Sequence, residues 1–206
     1  MIEADLTLRA QDKCAVAKIR AEIVRMSPRR LNLTFELFGG TGHIRRPRLP
    51  EPPASPLSSG TSFHLVARSK GHPDCYHMEL APSGHWMAWH IAGSGNPPKE
   101  AAHHIRLKGG WISGRRQHWS QPYKSSERYE DGKEYAWVEM SVDLESAVGL
   151  TLEAPWAIGI AAIIVENSGR RSFWSLDHAC VGLGDLLRTH EGGIEFKAAK
   201  PKRTFG

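Results

Sequence analysis

The side chains best suited to chemistry are His64, His77 and His90, which fall in three short alternating segments between residues 60 and 91. Neutral imidazole nitrogens suit borderline ions. Three of them on neighbouring strands could form a facial set for Zn2+, Ni2+, Cu2+ or Fe2+, with Glu79 or Cys75 as a further ligand. One of them could instead hold a haem iron. The plainer alternative is a set of exposed or mutually hydrogen-bonded histidines on a polar sheet face.

Whether the three meet depends on register. Residues 76–91 read as two strands around Pro82, Ser83, Gly84 and His85, and Ser83-Gly84 is acceptable as a two-residue hairpin turn. A turn centred there puts His77 opposite His90, Glu79 opposite Ala88 and Trp86 opposite Ala81. The connection over residues 68–74 is richer in turn formers, and centred near Gly71 it sets His64 opposite His77. Facing residues share a side of the sheet with Cβ atoms ~5 Å apart, so the imidazoles form a row whose outer members start ~10 Å apart. A slip of one residue breaks the row. Period-two alternation assigns Phe63, Leu65, Tyr76, Met78, Leu80, Met87, Trp89 and Ile91 to the opposite, core-facing side. The histidine side also carries Ser62, Cys75, Glu79 and Trp86.

Tryptophan supplies a second clue. The chain has seven, of which Trp86, Trp111 and Trp119 fall on polar faces or near loops, where an indole can stack on the apolar face of a sugar ring. Trp89, Trp137, Trp156 and Trp174 read as core. With Glu79 and with His178, which follows Asp177 at a sandwich rim, the first three make the expected ligand-binding set. Burial under a loop is the alternative for each.

Catalytic patterns are absent. Gly39-Gly40-Thr41-Gly42-His43 follows a strand but leads into Arg45, Arg46, Pro47 and Arg48 rather than a helix, so it reads as a turn and not a phosphate cradle. There is no HExxH and no GxSxG. The expectation is a protein that is not an enzyme, with a metal-dependent activity left open by the histidine row. The net charge of +5 is dispersed over short clusters, too sparse for a nucleic-acid stripe. Three cysteines, Cys14, Cys75 and Cys180, make an odd number without CxxC spacing, so they read as reduced thiols. The first residues lack a signal-peptide apolar run and no segment is apolar enough for a membrane span, so a cytoplasmic protein is expected.

The elements that must position these residues are strands. Leu31, Leu33, Phe35 and Leu37 alternate strictly, as do Val138, Met140, Val142 and Leu144. Residues 15–24, 104–107, 111–120 and 194–198 are further candidates. Residues 156–165 are apolar and β-branched, as a strand buried on both faces would be, and pair with 171–176 across an Asn167-Ser168-Gly169 turn. Prolines and serines make 45–60 a long loop. About ten antiparallel strands and 40% hydrophobic content predict an all-β chain, a β-sandwich of jelly-roll or immunoglobulin-like type, with a single domain over 1–198 and a basic tail over 199–206.

The run CYHMELAPSGHWMAWHI, with TSFHLVA before it and GRRSFWSLDH after it, resembles the bacterial DOMON-like proteins related to the family-nine carbohydrate-binding modules. Their signature runs TCFE, then YFEFNLSPSGxWAAYRF, then DGRKSYWALAHP, and the likeness spans residues 29–178. It implies a β-sandwich that binds a ligand without chemistry, sugar or haem being the ligand classes of the wider superfamily. The departures are all to histidine: His64 and His77 stand where the pattern has acids, and His90 where it has arginine. The expected function is therefore a non-catalytic domain whose polar face binds a sugar-like ligand or a transition metal. The competing classes are an accessory subunit that docks a protein partner and a haem-binding domain.

Overall fold

The computed structural model describes residues 1–27, 29–45, 60–93, 98–101, 106–113, 135–144, 147, 149–151, 154–176 and 194–197, with side chains of 106–113 and 135 excepted. The described residues form twelve strands: β1 (Ile2–Leu8), β2 (Lys18–Ser27), β3 (Arg30–Phe38), β4 (Ser62–Ser69), β5 (Cys75–Leu80), β6 (Trp86–Ile91), β7 (Lys99–Glu100), β8 (Arg106–Ser113), β9 (Tyr135–Asp143), β10 (Trp156–Val165), β11 (Arg171–Ser175) and β12 (Ile194–Phe196). Thr41–His43 makes one 3-10 turn. The expected loop over 45–60 lies almost wholly, and the tail over 199–206 wholly, outside the described residues.

Pairing is antiparallel throughout, and the strands follow one path, β7-β6-β5-β4-β10-β11-β1-β2-β3-β9-β8, with β12 beside β10. The path folds into a sandwich at β1. Residues Ile2 to Leu6 of that strand pair with β2, whereas Thr7 and Leu8 pair with Ser175 and Trp174 of β11. The first sheet is thus β1-β2-β3-β9-β8, and the second runs from β7 to β11. Sequence reasoning assigned no strand to the first residues. Ile2, Ala4, Leu6 and Leu8 nevertheless alternate with Glu3, Asp5 and Thr7, the pattern of a half-buried strand.

The inner faces meet in one apolar core. Leu31, Leu33, Phe35 and Leu37 of β3 are buried, as alternation predicts, and the Phe35 ring lies 4.8 Å from that of Phe63 on the opposing sheet. β10 is buried on both faces towards its end: Ile158, Ile160 and Ile164 join the main core, while Ala161, Ile163 and Val165 join a second apolar cluster on the other side of the sheet with Val66, Cys75 and Phe173. Trp156 and Trp174 join the main core, as expected; Trp137 is also buried, but on the other face of β9, across from Glu36 and outside both apolar clusters. Cys14 and Cys75 are free thiols. Among the described residues no helix is long and apolar enough to cross a membrane.

Candidate functional site

The outer faces of the two sheets differ. On the first sheet, Asp5 pairs with Lys18 at 3.0 Å and Arg20 at 3.4 Å, and Arg30 with Asp143 at 3.0 Å, all on an ordinary solvated surface. On the second sheet the corresponding face holds Ser62, His64, His77 and Glu79, and all four are buried. Burying this much polar chemistry is costly unless the groups satisfy one another.

The turn at Ser83-Gly84 decides what joins them. Gly84 N–H donates to the Ala81 carbonyl at 2.9 Å and Ala81 N–H to the His85 carbonyl at 2.8 Å, so Pro82, Ser83 and Gly84 form a three-residue loop with Gly84 at φ +87°. This is the arrangement in which a turn is followed by a left-handed residue, the position glycine fills at no steric cost. One residue more than a two-residue turn moves every partner on β6 by one. His77 therefore faces Trp89, Glu79 faces Met87, Tyr76 faces His90 and Leu80 faces Trp86.

Period-two alternation converts that single step into an exchange of faces, and three expectations are overturned by it. His90 leaves the row. Its ring packs on Tyr76 at 5.0 Å and its Nε2 bonds Asp74 Oδ2 at 3.2 Å, so the three-histidine metal set of His64, His77 and His90 is not assembled. Among the described residues no group of three His, Cys, Asp or Glu side chains could hold a metal ion. Trp86 leaves the candidate ligand face and packs against the main core, whereas Met87, Trp89 and Ile91 move out of the inner face onto the outer one. Asp74, the new partner of His90, is held below the usual carboxylate range first by the Gly93 N–H and then by His90.

The upstream connection also differs, by two residues. His64 faces Glu79, and His77 faces Val66. A two-residue slip preserves the face, so His64 and His77 still meet. His64 Nδ1 and His77 Nε2 are 3.1 Å apart, and His64 Nε2 is 2.9 Å from the Ser62 hydroxyl. The His64 and His77 rings are 18° from parallel with centroids 5.3 Å apart, the edge-to-edge arrangement that the hydrogen bond between them requires, and the Trp89 ring lies 5.2 Å from His77 at 24°. The result is a ladder of three parallel rings across β4, β5 and β6, descending from fully buried His64 to half-buried Trp89.

Burial sets the electrostatics. It pushes His77 down to about 4 and His64 well below the ordinary histidine value, with the repulsion of His77 and Arg171 adding to the latter. Both are neutral imidazoles at pH 7. Burial pushes the Glu79 carboxyl up to about 7, against the opposing pull of its hydrogen bond with Ser62 and the charge of Arg171. Glu79 Oε1 is buried without a hydrogen-bond partner among the described residues.

Of the remaining expected site residues, Trp111 lies in β8 across from Val138, with its side chain outside the described residues. Trp119 and His178 also lie outside them. The residue that sequence reasoning missed is Trp89, and the signal for it was Pro82. Proline presets the first central position of a tight turn, which makes Pro82-Ser83-Gly84 a three-residue loop and reverses the face of Trp89.

No protein-family model and no curated protein matches the chain. Among solved structures, it is similar to a candidate carbohydrate-binding protein from Bacteroides uniformis, with a TM-score of 0.51 and 8% identity over 86% of this chain and 78% of that one. A second likeness, to a family-nine carbohydrate-binding module from Caldicellulosiruptor kristjanssonii in complex with cellotriose, has a TM-score of 0.47 and 9% identity over 85% and 74% of the two chains. The first likeness concerns the fold, and it agrees with the sandwich described above.

Proposed function

We propose that the protein is a non-catalytic binding domain that takes a sugar-like ligand on the outer face of its second sheet, centred on Trp89. The observation that carries this reading is the half-buried indole of Trp89, stacked on His77 and standing across from exposed Glu100 on the two-residue strand β7. An indole with a ring neighbour on one side can offer its other face as a platform, and Glu100, its register partner on β7, would supply a carboxylate to accept from hydroxyls of a ring stacked there. Among the described residues, the nearby hydroxyl and thiol, Ser62 and Cys75, are buried. The sandwich likeness to a candidate carbohydrate-binding protein agrees in architecture and adds nothing about the residues.

The test is a glycan array probed with the full chain, followed by titration of the best-bound oligosaccharide against Trp89→Ala. The expected loss is about tenfold or more, since ~1.4 kcal/mol of lost stacking corresponds to a factor of ten. Binding that is unchanged in Trp89→Ala places the site elsewhere, and an array without signal removes the sugar reading.

A further inference from the structure

The face behind Trp89 is a continuous chain of groups that can each give and take a proton. Glu79 stands directly across β4 from His64, and Ser62, two residues along the same strand, hydrogen-bonds both the Glu79 carboxyl and His64. His64 in turn bonds His77 through its other nitrogen. Nε2 of His77 is therefore engaged, and Nδ1 is left without a partner among the described residues. A neutral imidazole carries one N–H, so each bond along this chain fixes the direction of the next.

Two orientations run in one sense along the whole chain. With Glu79 ionised, the Ser62 hydroxyl donates to the carboxylate, His64 Nε2–H donates to Ser62, His77 Nε2–H donates to His64 Nδ1, and His77 Nδ1 is a lone pair. With Glu79 protonated, the carboxyl donates to Ser62, Ser62 to His64 Nε2, His64 Nδ1–H to His77 Nε2, and His77 Nδ1 carries a hydrogen. We propose that Ser62, His64 and His77 form a proton relay through which Glu79 sets whether His77 offers a donor or an acceptor at Nδ1, making Glu79 the positioning residue for ligand polarity on this face. The step balances. One proton enters at His77 Nδ1, the Nε2 proton of His77 passes to His64 Nδ1, that of His64 Nε2 passes to Ser62, and the Ser62 proton passes to Glu79. Each histidine stays neutral and changes tautomer.

The surroundings favour this over a fixed orientation. The groups that face Glu79 are His64 and Ser62 from β4, Met87 from β6, and Cys75 and His77 on its own strand, with the charge of Arg171 on β11 acting from further off. No cation is bonded to the carboxyl among the described residues, so neither protonation state is locked. Burial brings its titration to about 7, where both states are populated, while that of His77 lies well below.

The consequence for ligands rests on the reading of this face as the binding surface, but the relay is tested without any ligand. Histidine-labelled full-length protein is followed by long-range 1H–15N spectra from pH 5.5 to 8.5. The expected result is that the nitrogens of His64 and His77 exchange protonated and unprotonated shifts together, with one shared midpoint near 7. Glu79→Gln should abolish the transition, and Ser62→Ala should disconnect both rings from Glu79. A wild type whose rings keep one tautomer throughout overturns the relay, as does a transition that persists in Glu79→Gln. Persistence in Ser62→Ala alone overturns the route through the hydroxyl. A silent glycan array beside a positive tautomer transition refutes the sugar and leaves the relay standing.

Discussion

Glu79 is a buried acid that resists ionisation, and this gives its contribution to stability an unusual sign. Its carboxyl titrates near 4.5 unfolded and about 7 folded, so between those values the folded chain holds a proton that the unfolded chain has released. Stability from this group therefore falls as pH rises through that window, by ~3 kcal/mol in all at ~1.4 kcal/mol per pKa unit. His77 acts oppositely. Lowered from 6.5 to about 4, it is neutral in the fold where the unfolded chain is charged, so its contribution is lost as pH falls through that range, and His64 adds in the same direction. Two histidines against one acid make stability rise up to about pH 6.5, above which only the Glu79 loss remains. Urea unfolding across pH should show that maximum. Glu79→Gln should remove the fall on the alkaline side, leaving the variant more stable than the parent at pH 8 by up to ~3 kcal/mol, a gap that closes towards pH 4.5. A variant destabilised at pH 8 would mean the ionised carboxylate is well solvated in the fold.

At the scale of elements, the β5–β6 turn controls which face Trp89 occupies. Gly84 holds φ +87° there, so Gly84→Ala should cost about 1–2 kcal/mol, the penalty of a left-handed conformation for a residue with Cβ. Thermal unfolding measures it; no loss would mean that the loop relaxes to another turn. The same turn explains why the fold was legible and the site only partly so. Alternation alone located β3 and β9, and the unbroken apolar run located β10, because face is a property of one strand read by itself. The pairing of two strands depends on loop length as well. Reading Ser83-Gly84 as a two-residue turn made an error of one position, and one position exchanges faces, so His90 and Trp86 were misplaced and Trp89 overlooked. The upstream error of two positions was harmless to the pairing of His64 with His77. β1 is less legible for a different reason: Glu3 and Asp5 alternate with only small or moderate apolar residues, and of these Leu6 alone is buried.

Across the whole molecule, the outer face of the second sheet can carry buried polar groups because the inner face is anchored to the first sheet independently of it. Phe35 and Phe63 join the sheets at the centre. At one end Arg25 of β2 lies over the Trp156 ring of β10 at 4.2 Å and donates to the Lys197 carbonyl at 2.9 Å. At another, β1 pairs with both β2 and β11, so neither sheet has a complete edge without it. Sheets coupled in this way should unfold together. Truncating Phe35 removes a fully buried aromatic from the far sheet, and Phe35→Ala should cost about 3–5 kcal/mol. Because Trp89 lies on the other sheet, its environment reports whether the loss is shared. In denaturant, the indole 1H–15N resonance of Trp89 and that of Trp137 on β9 of the first sheet should shift to lower midpoint by the same amount and remain coincident. Separation of the two curves would show that the second sheet persists without the first, in which case the ladder of His64, His77 and Trp89 is held by its own sheet rather than by the sandwich.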